Sequence, residues 1–154
     1  MKKIEFMVIG IPKTPAFREL ERIYLGKITH YVQASIHYLK DRAEKDLKIR
    51  QKKESALILE ALKPGDLVIL CDERGTAYAS PAFAAQLRRW QERAQRVVFV
   101  IGGAYGVDDA LREKAVALVS LSPFTLPHEL ARTVLLEQVY RGLTILAGEN
   151  YHHE

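Results

Sequence analysis

A chain of 154 residues, 48% hydrophobic and 27% charged, suits a single domain with a buried core and excludes a disordered composition. Its formal net charge of +4 is a mild pointer to a polyanionic partner. The one cysteine, Cys71, excludes an internal disulfide and any multi-cysteine zinc site, and no apolar run approaches the ~18 residues of a membrane span, so a cytoplasmic protein with no membrane contact is expected.

The first strand is predicted over residues 3–11, from Ile4, Phe6, Val8 and Ile9. It breaks at Gly10 and Pro12, which reads against a signal peptide. Phe17, Leu20, Ile23, Tyr24 and Ile28 recur at helical spacing, so a helix is predicted over 15–30, followed by a strand over 32–39. Residues 40–54 hold seven basic and four acidic side chains. Glu44 to Lys48 and Asp46 to Arg50 have the spacing of i,i+4 pairs on an exposed helix. That segment reads either as a solvated face or as an arm for RNA phosphates. It turns apolar over 56–62 and stops at Lys63-Pro64-Gly65-Asp66.

A doubly covered strand is predicted over 67–71, ended by Asp72-Glu73-Arg74-Gly75. Ser80-Pro81 opens a helix, with the serine as its cap, an apolar stripe at Phe83, Leu87 and Trp90, and Arg88, Arg89, Arg93 and Arg96 on its outer side. A fourth strand over 97–101 runs into Gly102-Gly103-Ala104-Tyr105-Gly106, and Asp108 or Asp109 caps a short helix. A fifth strand over 115–121 leads into Ser122-Pro123-Phe124-Thr125-Leu126-Pro127, and a last helix runs from His128 to about residue 147. Strands alternate with helices throughout, which predicts one α/β domain over 1–154 with a mostly parallel sheet of five to six strands and helices on both faces.

In such a sheet ligands bind beyond the carboxyl ends of the strands. Two of those ends carry unusual loops. The glycine run allows close backbone approach, yet it is neither GxGxxG nor a Walker motif, and by spacing alone it reads equally as a structural turn. The proline-framed loop holds backbone N–H and C=O groups fixed for a ligand such as an adenine edge, or serves as a rigid connector. His128 begins a helix, whose dipole lowers its pKa, and it reads either as a neutral donor, acceptor or base or as a capping histidine. Glu137 and Arg141 are i,i+4 on an apolar helix and either pair with each other or serve a site. His152 and His153 lack a partner spacing for zinc, so no metal is expected. Tyr151 and His152 have a functional meaning only if the tail docks.

IGGAYG after the fourth strand, SLSPFTLPHELAR after the fifth, LLEQVYR on the last helix and the ending NYHHE together resemble the RlmH family, the SPOUT-class methyltransferases of bacterial 23S rRNA that act at N3 of pseudouridine. The resemblance covers the whole chain. It implies a C-terminal trefoil knot, a homodimer, S-adenosylmethionine (AdoMet) as cofactor and methylation of a pseudouridine in the helix-69 loop of assembled ribosomes. Carried onto this sequence it implies cofactor contacts at Cys71, Gly103, Ser122, Pro123, Phe124, Thr125, Leu126 and Pro127. It also implies substrate-facing groups at His128, Glu137, Arg141, Tyr151, His152 and Glu154, with His152, His128 or Glu137 taking the N3 proton. Ala104 stands where the family usually has proline, Thr76 where lysine is common, and His153 where Arg or Lys precedes the terminal Glu. Two other readings stay open: a related methyltransferase of tRNA or another rRNA position, and a non-catalytic RNA-binding assembly factor.

Overall fold

The computed structural model describes residues 2–153. The chain alternates β1 (Lys3–Ile9), α1 (Pro15–Ile28), β2 (Gln33–Leu39), α2 (Leu47–Ala61), β3 (Leu67–Ala77), α3 (Ser80–Arg93), β4 (Arg96–Ile101), α4 (Asp109–Lys114), β5 (Ala117–Ser120) and α5 (His128–Leu146). The five strands pair in the order β2-β1-β4-β3-β5, and every pairing is parallel. All carboxyl ends therefore open on one edge.

The pleat sends alternate residues to opposite faces. Ile4, Phe6, Val8, Ile69, Val97, Phe99 and Ile101 pack beneath α1, α3 and α5 with Phe83, Trp90 and Leu135. Met7, Ile9, Val68, Leu70, Val98 and Val100 pack beneath α2 and α4 with Ile58 and Leu111. Phe6 and Phe99 stack with centroids 5.7 Å apart, and Trp90 meets Phe99 edge-on at 6.0 Å. Gly142 lets α5 close on α3, since a Cβ there would sit 3.3 Å from Leu87 Cδ2.

Five sequence expectations are corrected. Helix α2 starts at Leu47, because Asp46 leaves the helix and caps it, accepting from the Lys48 and Ile49 N–H groups. Its charges pair across the loop before it: Arg50 with Asp41 at 2.6 Å and Lys53 with Glu44 at 3.1 Å, in place of the Glu44–Lys48 and Asp46–Arg50 pairs. Strand β3 does not end at residue 71; it bulges over 72–75 and rejoins β5, so that Cys71 and Thr76 both face Val119. Gly75 makes that return possible, since a Cβ there would stand 2.5 Å from the Leu118 carbonyl. Ser80 lies inside α3 and caps nothing; its hydroxyl donates to Gln138 Oε1 on α5 at 2.8 Å. Arg96 belongs to β4, where it pairs with Asp66 at 2.8 Å, and is not part of a basic helix face.

A buried ion pair ties the start of α5 to the rest. Arg132 Nε lies 3.0 Å from Glu21 Oε2 on α1, and Nη1 donates to the Ile9 and Gly10 carbonyls at the exit of β1. Tyr38 of β2 donates to Glu21 Oε1 at 2.6 Å. Arg132→Met would leave Glu21 buried and uncompensated, which costs roughly 3–5 kcal/mol, whereas the double variant Glu21→Leu/Arg132→Met is expected to lose less. Urea unfolding at pH 7 and fixed protein concentration compares the two, and a double variant no more stable than the single one would contradict this account.

Candidate active site

The carboxyl ends of β3, β4 and β5 enclose a cleft of about 710 Å³. Its walls are Cys71 to Arg74 from the β3 bulge, Ile101 and Gly102 to Val107 after β4, Arg112 of α4, and Thr125 to His128 before α5. A smaller hollow of about 120 Å³ adjoins it, lined by Ser120, Leu121, Ser122, Phe124, Thr125 and Leu126 together with Cys71 to Glu73. The structure thus brings Cys71, Gly103, Ser122, Phe124, Thr125, Leu126 and Pro127 onto one continuous surface. Pro123 is exposed and does not line it.

Local bonds shape the walls. The Ser120 hydroxyl donates to the Ser122 carbonyl at 3.2 Å, and Phe124 N–H donates to Ser122 Oγ at 2.9 Å, so the first half of the proline-framed loop is folded on itself. Phe124 is left 84% exposed. Gly106 sits at φ +81, a left-handed conformation that closes the glycine loop through Gly106 N–H to Gly103 C=O at 3.0 Å. Asp72 accepts from Arg112 Nε at 3.0 Å and from the Arg74 N–H at 2.9 Å. Burial opposes its charge, but those donors win and hold its carboxyl down at about 2. Burial, and then the Asp72 charge, push the Cys71 thiol up to about 12, so it is a wall atom and no nucleophile.

His128 lines the same cleft. Its pKa is lowered, as its place in the chain predicts, but the leading causes are partial desolvation and the neighbouring Arg132 charge. A neutral imidazole at the cleft wall can accept a proton.

The remaining candidates gather elsewhere. Glu137 Oε1 accepts from Arg141 Nη2 at 2.6 Å, Arg141 Nε at 2.9 Å and the Tyr151 hydroxyl at 3.1 Å, and Oε2 accepts from Gln138 Nε2 at 2.7 Å. Arg141 Nη1 lies 3.2 Å from His152 Nδ1. A guanidinium only donates, so in this contact Nδ1 is the acceptor. Tyr151 meets Tyr140 edge-on at 4.7 Å and lies under Arg141 at 4.6 Å. Tyr31 anchors the tail by donating to Glu149 at 2.6 Å. Burial and the Glu137 charge push the Tyr151 phenol up to about 12, so it is a donor across the physiological range. The tail is docked, and the structure joins Glu137, Arg141, Tyr151 and His152 in one cluster. Glu154 lies outside the described residues.

Cleft and cluster share α5 but not a position on it. His128 and Glu137 are nine residues apart in the helix, about 13 Å at 1.5 Å per residue. Among the described residues, no group of three or more His, Cys, Asp or Glu side chains converges as for a metal.

Sequence reasoning missed Arg112, Asp72, Arg132 and Glu54. Glu54 sits in the charge run read as a solvated face, yet it is only 2% exposed and lies behind Gly103. Its spacing from Ser55 and Ile58, which are also buried, was the available signal.

The family model described as "Predicted SPOUT methyltransferase" matches residues 2–152. The chain is 44% identical to the "Ribosomal RNA large subunit methyltransferase H" of Nitratidesulfovibrio vulgaris, over 99% of this chain and 100% of that one. Proteins of the same name from Solidesulfovibrio magneticus (40% identical, 99% and 100% covered) and Parabacteroides distasonis (38%, 99% and 99%) are also similar end to end.

His128 is expected to titrate with a midpoint below 6.5. The folded chain then binds fewer protons there than the unfolded one. The resulting stability is present above 6.5 and is lost as pH falls through that value towards the folded midpoint. A histidine ring NMR titration measures it, and a midpoint at or above 6.5 would overturn the assignment.

Proposed function

The chain belongs to the SPOUT methyltransferase family, and from that premise we propose that it methylates large-subunit rRNA with AdoMet, at N3 of a pseudouridine in the helix-69 loop of 23S rRNA within assembled ribosomes. The observation that carries this reading is the cleft itself. The two loops singled out in the sequence, after β4 and after β5, face each other across it.

The residues present fit such a cofactor. Ile101, Leu121 and Leu126 supply apolar walls for an adenine, and backbone groups of the framed loop can read its edge. Asp72 is tied up by Arg74 and Arg112 on the same wall, which leaves the exposed Glu73 as the carboxylate available beside a cationic donor. When bound, AdoMet supplies an activated methyl group on a sulfonium. The chain's own task is to hold the acceptor nitrogen in line, where orientation is worth several kcal/mol, and to accept the N3 proton.

Within one chain His128 is best suited to take that proton, since it is held neutral and open to the cleft. Glu137 is satisfied by four donors and serves to hold Arg141 and Tyr151. Arg141 and Tyr151 then offer a cation and an aromatic ring to an unpaired rRNA base or its phosphate. Because the tail cluster and the cleft of one chain stand apart, a homodimer in which one subunit's tail meets the other's cleft accounts for both. Lys40, Arg42, Lys45, Lys48 and Lys52 are exposed and outside the ion pairs of this region, a surface suited to rRNA phosphates. The trefoil knot and a cytoplasmic location belong to the same proposal. No helix among the described residues is long and apolar enough to cross a membrane.

Labelled AdoMet with ribosomes lacking the modification is expected to yield N3-methylpseudouridine in 23S rRNA, identified by mass spectrometry. Methylation of another RNA would keep the reaction and overturn the substrate; RNA binding without transfer would overturn the enzyme. Dimers mixed from the inactive variants His128→Ala and Tyr151→Ala are expected to regain activity in the same assay. Failure to regain it would count against a site shared by two subunits.

A further inference from the structure

Helix α2 braces the glycine loop from behind. Gln51 Nε2 donates to the Tyr105 carbonyl at 3.0 Å, the Asp108 N–H donates to Ser55 Oγ at 3.0 Å, and the Arg50 guanidinium lies 5.5 Å from the centre of the Tyr105 ring. Between these contacts stands Glu54. It is 2% exposed, and neither of its oxygens accepts a hydrogen bond among the described residues. Among the described residues its salt-bridge partner is Arg50 Nε at 3.6 Å; Arg50 is itself held at 2.6 Å by Asp41, whose carboxyl also stands close to Glu54. Burial raises the Glu54 pKa against that cation, with Asp41 adding in the same direction.

A buried carboxylate without donors is costly to keep, and such groups in native proteins call for an explanation. Here the neighbour supplies one. A Cβ built on Gly103 would stand 2.5 Å from Glu54 Oε1 and 3.2 Å from its carboxyl carbon, so the carboxyl group abuts Gly103, which lines the cleft that Glu54 itself does not line. Nothing else comes as near to that position. Local cost placed against a ligand-facing loop is the pattern of a positioning device.

We propose that Glu54 is a positioning residue for the methyl donor: its side chain fills the space behind Gly103 and fixes the glycine loop in the form that contacts the cofactor. This rests on the reading of the cleft as the AdoMet site. The role is one of shape, so Glu54→Gln keeps it, Glu54→Ala removes it, and a methyl group on Gly103 competes with it. Loss of preorganisation weakens binding without altering the chemistry of the bound state.

The test uses the full chain, AdoMet calorimetry and the methyl-transfer assay. Glu54→Gln is expected to bind AdoMet within about threefold of the parent, while Glu54→Ala raises the AdoMet KM about tenfold and leaves kcat within about twofold. Gly103→Ala is expected to lose at least about tenfold in affinity, and Gly103→Ala/Glu54→Asp, in which the shorter acid withdraws from the new methyl, to recover most of it. That recovery keeps the test decisive even if Glu54→Ala does not fold. Parent-like affinity in Glu54→Ala, a fall in kcat equal to the rise in KM, or a double variant no better than Gly103→Ala would overturn the role of Glu54 alone. A parent chain that does not bind AdoMet would overturn the cleft reading beneath it.

Discussion

The Arg132 guanidinium is the point on which the arrangement turns. It reaches the carbonyls that end β1, a carboxylate on α1 and the face of Tyr38 on β2, from a position one turn inside α5. A cation so deeply buried is stable only while every one of those partners stays in place. It therefore fixes where α5 begins. The start of α5 in turn fixes His128 and the second proline of the framed loop. After burial, the same charge is the next cause that lowers the His128 pKa, so one side chain bears on both the position and the protonation of that ring.

Parallel pairing does the rest of the spatial work. Because all strands run one way, the bulge after Cys71, the glycine loop and the proline-framed loop emerge side by side, although they lie far apart in the chain. The bulge matters most here. By leaving the strand at residue 72 and returning at Thr76, β3 carries Asp72 and Arg74 into the cleft and still closes against β5. A smooth strand would have kept those charges in the ladder.

Most of the architecture was legible because it follows from period and punctuation. Apolar runs and turn signals marked four of the strands and alternation marked β2, while the helical stripes marked α1, α3 and α5. The cleft was legible as two loops, through the rarity of their composition. What escaped notice depends on partners distant in sequence. The 40–54 segment looked uniformly solvated because local i,i+4 spacing cannot reveal that Arg50 turns back to Asp41, or that Glu54 faces a glycine 49 positions later. Arg132 and Glu21 sit on apolar helix faces where a lone charge gives no hint of its mate. The docked tail was conditional in the sequence, since only the fold places Tyr140 and Glu137 where Tyr151 can reach them.

Cys71 shows what the apolar wall does beyond packing. Its sulfur sits at the floor of the cleft with its proton held tightly, in the form that reacts slowly with peroxide, disulfides and alkylating agents. Burial and the adjacent Asp72 thus disfavour the thiolate, which makes the chain's lone thiol a poor target for oxidation or thiol exchange at this cleft.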